Sequence, residues 1–161
     1  MGKVAIHGFG RIGRSITKVA LKNNLFTPVS VSDIRDIPTF AALFEVDSNY
    51  GRWHEQVKAT EKGFVIGNRE IPYYNSMQEL PDWSALGVDL VVDCTGRATT
   101  RAGAQAHLDR GAKRVLVSAP RVDRSWMSET DTGVNNPLAI AWRAVSRPIL
   151  PNPCIAILFI E

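Results

Sequence analysis

Short apolar runs of strand length alternate along the chain with stretches in which apolar residues recur every three or four positions. The runs predict strands, and the longer spacing predicts helices. The predicted strands are residues 4–6, 29–32, 88–94 and 114–118. One helix is predicted around Ile12, Ile16, Val19 and Ala20, and another over residues 99–110, with a threonine cap and a stop at Gly111.

A more mixed pattern lies between the second and third predicted strands. Residues 37–44 predict a short amphipathic helix with a proline near its start and Phe40, Leu43 and Phe44 on one side. The β-rich stretches 55–59, 63–66 and 70–73 are separated by turn residues and predict a hairpin or small meander. Because strands alternate with helices, the order predicts an α/β fold: a doubly wound, mostly parallel sheet with a small β-hairpin insertion.

Composition narrows the classes of protein to consider. The chain has 161 residues, 45% hydrophobic and 22% charged, which predicts a globular protein with its own core. No apolar run approaches the ~18 residues of a membrane span. A strand at the N-terminus leaves no room for a cleaved signal peptide, and two distant cysteines form no disulfide or metal pattern. We therefore expect a cytoplasmic protein with no membrane partner and no metal.

The basic residues do not form a long run. They number 19 against 16 acidic residues, for a net charge of +3, so we expect no nucleic-acid partner. The densest cluster has two interpretations: a solvated face, or a surface with one or two side chains facing an anion. It comprises Arg97, Arg101, Arg110, Lys113, Arg114 and Arg121.

Three glycines carry the strongest chemical signal in the chain. Gly8, Gly10 and Gly13 form a G-x-G-x-x-G run after the first strand, and Asp33 follows the second strand. In a dinucleotide-binding turn, such glycines permit a tight bend, close approach of a pyrophosphate, and close packing of helix on strand. The carboxylate would accept hydrogen bonds from a ribose diol. The alternatives are a turn that binds nothing and a solvated acid at a strand end.

Several motifs together resemble the N-terminal half of phosphorylating glyceraldehyde-3-phosphate dehydrogenases, from about Lys3 to Pro120. They are Gly8-Phe9-Gly10-Arg11-Ile12-Gly13-Arg14, Asp47-Ser48-Asn49-Tyr50-Gly51-Arg52-Trp53, Cys94-Thr95-Gly96 and the segment 111–120. The resemblance implies a Rossmann NAD(P)-binding fold over residues 1–120, with residues 121–161 as a divergent segment that is possibly part of the same domain. It also implies that the catalytic domain of the family is absent from this sequence.

The resemblance further implies a set of cofactor contacts. The turn at Gly8, Gly10 and Gly13 and the backbone of Arg11 and Ile12 would hold the pyrophosphate. Asp33 would hold the adenosine ribose, and Thr95, Gly96 and Ser118 would form the strip toward the nicotinamide. An acid at position 33 favours NAD over NADP, because a 2′-phosphate would meet its charge. Arg35 and Arg97 could soften that discrimination.

Three positions depart from the family's pattern. His7 replaces an asparagine that braces the glycine turn, and is either a structural substitute or a titrating group. Ala98 replaces an aromatic residue beside the adenine, which would remove a stacking face. Leu150 stands where the reactive cysteine should be, while Cys154 aligns with a second, packing cysteine. A shifted alignment would instead make Cys154 the nucleophile.

These observations favour a truncated NAD-binding domain that cannot oxidise an aldehyde alone. His54 and His107 do not obviously supply a base for thiolate chemistry, and both are interpreted as surface or packing residues. The alternative from a different class is a non-catalytic regulatory or partner-binding module, associating with itself or with a full-length relative. A third hypothesis is a fragment that needs a second chain, or whose last forty residues derive from a damaged gene.

Overall fold

The computed structural model describes residues 2–47, 51–98 and 100–118, together with the backbone of residues 158–160. The helices are α1 (Arg11–Lys22), α2 (Ile37–Glu45), α3 (Trp83–Leu86) and α4 (Arg101–Asp109). The strands are β1 (Val4–His7), β2 (Ser30–Asp33), β3 (Val46–Asp47), β4 (Gly51–Arg52), β5 (Val57–Ala59), β6 (Gly63–Ile66), β7 (Arg69–Asn75), β8 (Leu90–Asp93), β9 (Arg114–Val117) and β10 (Leu158–Ile160).

The main sheet confirms the predicted doubly wound architecture. Its strand order is β10-β9-β8-β1-β2-β7-β6-β5, in which β9, β8, β1, β2 and β7 are parallel. The chain leaves β1 toward β2 on one side and returns to β8 on the other. β1 therefore lies at the switch point, where ligands of such sheets bind beyond the carboxyl ends of the strands.

The antiparallel part is a continuation of the same sheet. β5, β6 and β7 form the predicted meander, and β7 also pairs with β2 in parallel, with Val31 opposite Tyr73. β10 pairs antiparallel with β9 at the other edge. A separate two-stranded ribbon joins β3 to β4.

Side chains alternate along the central strands and pack into two hydrophobic cores, one on each face of the sheet. Ile6 joins a core rich in phenylalanine, and Ala5 faces a core around Trp83. Phe9, the residue between the first two glycines, packs against the rings of Phe40, Phe44 and Phe64 at centroid distances of 5.4 to 5.9 Å. The glycine turn is therefore anchored to the core by a large buried side chain.

Two helices differ from the sequence-based expectation. α3 was not predicted; it spans one turn, and the Asp82 side chain caps it by accepting from the Ala85 N–H. In α2, Phe40 and Phe44 are buried as expected, but Leu43 is 37% exposed. In the part of the chain that the structure describes, no helix combines the length and apolar character that a membrane crossing demands.

The predicted domain boundary after residue 120 stays a prediction. Arg121, Leu150 and Cys154 lie outside the described residues.

Candidate dinucleotide-binding site

The turn after β1 is built so closely that two of its glycines have no space for a side chain. Gly8 has φ +87°, and a Cβ there would lie 2.6 Å from the backbone nitrogen of Thr95. A Cβ on Gly13 would lie 2.2 Å from the carbonyl oxygen of Gly8. These are the tight bend and the close helix-on-strand packing that the fingerprint predicts.

Gly10 has a different environment. It is the N-cap residue of α1, and a Cβ at this position would have no heavy atom within 4 Å. The first helical hydrogen bond runs from the Arg14 N–H to the Gly10 oxygen, at 3.1 Å, so the amides of Arg11 and Ile12 lack partners in the helix. Open space beside unpaired amides at a helix start fits a phosphate group.

Asp33 lies at the end of β2 and faces the same turn. Its Oδ2 accepts from the Phe9 N–H at 2.5 Å, and its Oδ1 accepts from the Ile34 N–H at 2.6 Å. A carboxylate oxygen can accept two hydrogen bonds, so each oxygen of Asp33 can accept another from a ribose diol. The Tyr73 hydroxyl lies within hydrogen-bond distance of the Arg35 carbonyl and of the Asp33 carbonyl, the latter at 2.9 Å, and so ties β7 to this strand end.

The glycine turn, the end of β2 and the loop after β8 enclose one cleft of about 410 Å³. Its lining is Gly8, Gly10, Arg11, Arg14, Asp33, Ile34, Arg35, Phe40, Leu43, Cys94, Thr95 and Arg97. Leu43 is exposed because it faces this cleft instead of the core. Cationic side chains dominate the charged lining, which suits an anionic ligand.

The structure brings most of the predicted contact residues to this cleft. Gly8, Gly10, Arg11, Asp33 and Thr95 line it directly. The others lie next to it in the fold or in the chain: Ile12 and Gly13 in the first turn of α1, Gly96 at φ +73°, and Ser118 after β9. Ala98 is only 7% exposed and packs in the core under α4, against Gly103.

Behind the cleft, three buried side chains form a hydrogen-bonded series. The Trp83 indole Nε1 lies 3.2 Å from His107 Nδ1, and His107 Nε2 lies 2.9 Å from Asp93 Oδ2. The other carboxylate oxygen of Asp93 accepts from the backbone N–H and the hydroxyl of Thr95, at 2.8 and 2.7 Å. Burial alone would raise the pKa of Asp93, but the hydrogen bonds from His107 and Thr95 outweigh it and lower that pKa.

The same cluster places three groups that could ligate a metal, on His7, Asp93 and His107, within 4.8 Å of one another. An indole N–H only donates, so His107 Nδ1 accepts and the ring proton resides on Nε2, which then donates to Asp93. A protonated Nε2 has no lone pair for a metal. The observed contacts therefore fit a proton-ordered network, in which every hydrogen bond has an assigned donor and acceptor, better than a metal centre.

His7 serves as a brace between two strands. Its Nδ1 is hydrogen-bonded to Ser32 Oγ at 2.8 Å, and its ring contacts His107 edge-on at a centroid distance of 4.9 Å. Burial lowers the pKa of His7 to about 4. The ring is therefore neutral at pH 7, which favours the structural interpretation of this residue over the titrating one.

The remaining candidate residues either lie outside the cleft or are unreactive. His54 is mostly exposed beside Glu55, as expected for a surface histidine. Burial raises the pKa of the Cys94 thiol to about 12, so it stays protonated. Within the basic cluster, Arg97 lines the cleft, whereas Arg110 pairs with Glu79.

Sequence reasoning missed Trp83 and Asp93, and treated His107 as a surface or packing residue. One signal was present: Asp93 ends a strand that is otherwise apolar, and a buried carboxylate requires partners.

The fold and the cleft together define a Rossmann domain that binds a dinucleotide.

Comparison with known proteins specifies the domain further. The family model described as "Glyceraldehyde 3-phosphate dehydrogenase, NAD binding domain" matches residues 2–101. Glyceraldehyde-3-phosphate dehydrogenase of Chlamydia pneumoniae is 42% identical over 121 residues, 73% of this chain and 36% of the relative. The Geobacillus stearothermophilus enzyme is 43% identical over 119 residues, again 73% and 36%.

Glyceraldehyde-3-phosphate dehydrogenase 1 of Trichormus variabilis is 40% identical over 138 residues, 84% of this chain and 40% of the relative. The chain belongs to the glyceraldehyde-3-phosphate dehydrogenase family and carries its NAD-binding domain, whose cofactor is NAD. The matched part spans only 36% to 40% of the length of these relatives.

Proposed function

We propose that this chain binds NAD in the cleft at the carboxyl end of β1, with the pyrophosphate over Gly10. The amides of Arg11 and Ile12 donate to the phosphates, and Asp33 accepts from the adenosine ribose. Thr95, Gly96 and Ser118 form the strip toward the nicotinamide. The observation that carries the proposal is the open space at Gly10 directly beside unpaired helix amides and the Asp33 carboxylate.

The preference for NAD over NADP follows from the charge at Asp33. A 2′-phosphate would lie against a carboxylate that already accepts two backbone hydrogen bonds. Arg35 and Arg97 line the same cleft and reduce the repulsion. We therefore propose a preference for NAD that is moderate in size.

Whole enzymes of this family are oxidoreductases that act on an aldehyde, and NAD supplies the hydride acceptor. We propose that this chain alone does not turn over, because Leu150 stands where the family's reactive cysteine is expected, and leucine cannot form a thioester. Cys94 does not replace it, since the raised pKa of its thiol, about 12, keeps it protonated at pH 7. The alternative role is that of a partner-binding module in the cytoplasm, joining a second copy or a full-length relative.

Calorimetric titration of the 161-residue chain with NAD tests the binding proposal. Saturable binding at one site per chain is expected. Asp33→Asn keeps the size of the side chain but removes its charge, and we expect it to weaken binding by about tenfold, the effect of one charge-assisted hydrogen bond. Absence of saturation at millimolar NAD would contradict the proposal.

Turnover is tested on the same sample. Glyceraldehyde 3-phosphate, phosphate and NAD are added, and NADH is followed by its absorbance. No NADH is expected from the chain alone. Formation of NADH would overturn the non-catalytic part of the proposal, and a Cys154→Ser variant would then show whether Cys154 is the nucleophile. Formation of NADH only after a full-length relative is added would support the partner-binding role.

A further inference from the structure

We propose that His107, which does not line the cleft, is a positioning residue for the loop formed by Thr95, Gly96 and Arg97. It acts through Asp93, and it does so as the neutral ring that carries its proton on Nε2. The inference rests on the proposed binding of NAD beside this loop.

A continuous series of hydrogen bonds joins His107 to the loop. His107 Nε2 donates to Asp93 Oδ2 at 2.9 Å, and Asp93 Oδ1 accepts from both the N–H and the hydroxyl of Thr95. Thr95 Oγ1 in turn accepts from the Arg97 N–H at 3.1 Å. A displacement of the Asp93 carboxylate would therefore move the backbone on both sides of Gly96.

The direction of this series is fixed at its far end. Trp83 Nε1 is a donor with no acceptor capacity, and it lies 3.2 Å from His107 Nδ1. His107 Nδ1 must then accept, so the proton of the neutral ring is on Nε2, where it points at Asp93. A protonated ring would place a second N–H against the indole N–H, and that hydrogen bond would be lost.

Burial makes the arrangement sensitive to the loss of one partner. His107 is 2% exposed and Asp93 is 2% exposed, so water cannot replace a missing hydrogen bond without opening the core. The affected loop also packs on the glycine turn, where Thr95 N lies close behind Gly8. Movement of the loop thus reaches the pyrophosphate end of the cleft as well as the nicotinamide end.

The charged and titratable groups around the pair come from several elements. Asp93 ends β8 and contacts His107 directly, and His7 of β1 contacts the ring edge-on. Asp33 at the end of β2 and Arg97 after β8 act on His7 from farther away. Among the residues that the structure describes, the Asp93 carboxylate is the charged group that pairs with His107.

Two substitutions distinguish the effect of the His107 hydrogen bond from the effect of the space that its side chain fills. His107→Gln retains a donor that reaches Asp93, whereas His107→Leu fills similar space with no polar atom. For His107→Leu we expect NAD affinity to fall by about tenfold, the effect of losing one buried hydrogen bond to a charged group. His107→Gln is expected to recover most of that affinity. Affinity is measured by calorimetry at a temperature where urea titration shows each variant to be folded.

A spectroscopic measurement supplies the readout that a purely structural role would not change. In 15N-labelled chain at pH 7, the His107 ring is expected as the Nε2–H tautomer, and the Thr95, Gly96 and Arg97 amide signals are expected to shift in His107→Leu and return in His107→Gln. An Nδ1–H tautomer would overturn the inference. So would a folded His107→Leu variant with unchanged loop signals and unchanged affinity.

The outcomes distinguish the inference from the proposed function. If the unsubstituted chain does not bind NAD, the proposed function fails, while the tautomer and the loop signals still decide the positioning role. If it binds NAD but His107→Leu binds equally well, only the inference fails. Loss of the Nε2–H signal on addition of zinc alone would instead indicate a metal site and would overturn the proton-ordered network.

Discussion

Replacement of Gly10 by alanine is expected to weaken NAD binding while leaving the fold intact. Gly10 has φ −68°, outside the positive-φ region that favours glycine, and an added Cβ meets no heavy atom within 4 Å. Alanine is a poorer N-cap than glycine but loses less backbone entropy on folding, so we expect stability to change by less than about 1 kcal/mol. The methyl group would occupy the space proposed for the pyrophosphate.

Gly13 provides the matched control, because alanine there is expected to damage the fold. Its Cβ would lie 2.2 Å from the Gly8 oxygen and 3.2 Å from Ile6 Cγ2. The higher helix propensity of alanine would stabilise α1 by only about 1 kcal/mol. The added methyl group would collide with the backbone of Gly8 and force α1 away from β1. We expect Gly13→Ala to lose about 2 kcal/mol or more of unfolding free energy.

The magnitude for Gly10→Ala follows from the contacts that the methyl group displaces. Loss of one or two charge-assisted hydrogen bonds from the α1 amides costs about 1.5–3 kcal/mol each, which is at least a tenfold rise in Kd. Urea unfolding and NAD calorimetry are run on both variants. The reasoning is refuted if Gly10→Ala binds NAD with unchanged affinity, or if Gly10→Ala proves less stable than Gly13→Ala.

Three further outcomes are expected. His7 loses its proton at about pH 4 when folded and near 6.5 when unfolded, so the unfolded chain binds more protons between these values. The contribution of His7 to the free energy of unfolding should therefore be complete above pH 6.5 and fall by up to about 3 kcal/mol toward pH 4. Urea titrations of His7→Asn should show a smaller loss of stability over this range. Asp33→Asn should narrow the ratio of NAD to NADP affinity, because Arg35 and Arg97 remain in the cleft; an unchanged ratio would show that Asp33 does not set the preference. Lys113→Ala should leave the unfolding midpoint nearly unchanged, since the Lys113 side chain is exposed and its pair with Asp89 is screened by water; a clear drop would contradict that.

The parts of the site that the sequence predicted are those whose requirements are local. A tight turn between strand and helix demands glycine at Gly8 and Gly13, and the demand shows in the sequence as spacing. The carboxyl ends of parallel strands meet at one edge, so Asp33 and Thr95 were expected near that turn. The doubly wound, mostly parallel sheet was predicted from the alternation of strands and helices, whereas the strand order came from the structure.

The missed parts depend on contacts between distant segments. Trp83, His107 and Asp93 lie on three different elements and meet only after the sheet has formed. α3 is a single turn, too short for an apolar period to show. The helical spacing of Leu43 places it on the apolar side of α2 and predicts that it packs in the core, yet it faces the cleft. Periodicity alone does not distinguish side chains that face the core from those that line a binding cleft.

The central claim, that NAD binds at the carboxyl edge of β1, is tested most directly by mapping amide signals of 15N-labelled chain during titration with NAD. We expect the largest shifts at residues 8–13, at 33–35 and at 95–97. Shifts confined instead to a separate cleft of about 370 Å³, whose lining includes Lys18, Lys22, Arg52 and Trp53, would contradict the account. So would a titration in which no amide of the glycine turn moves.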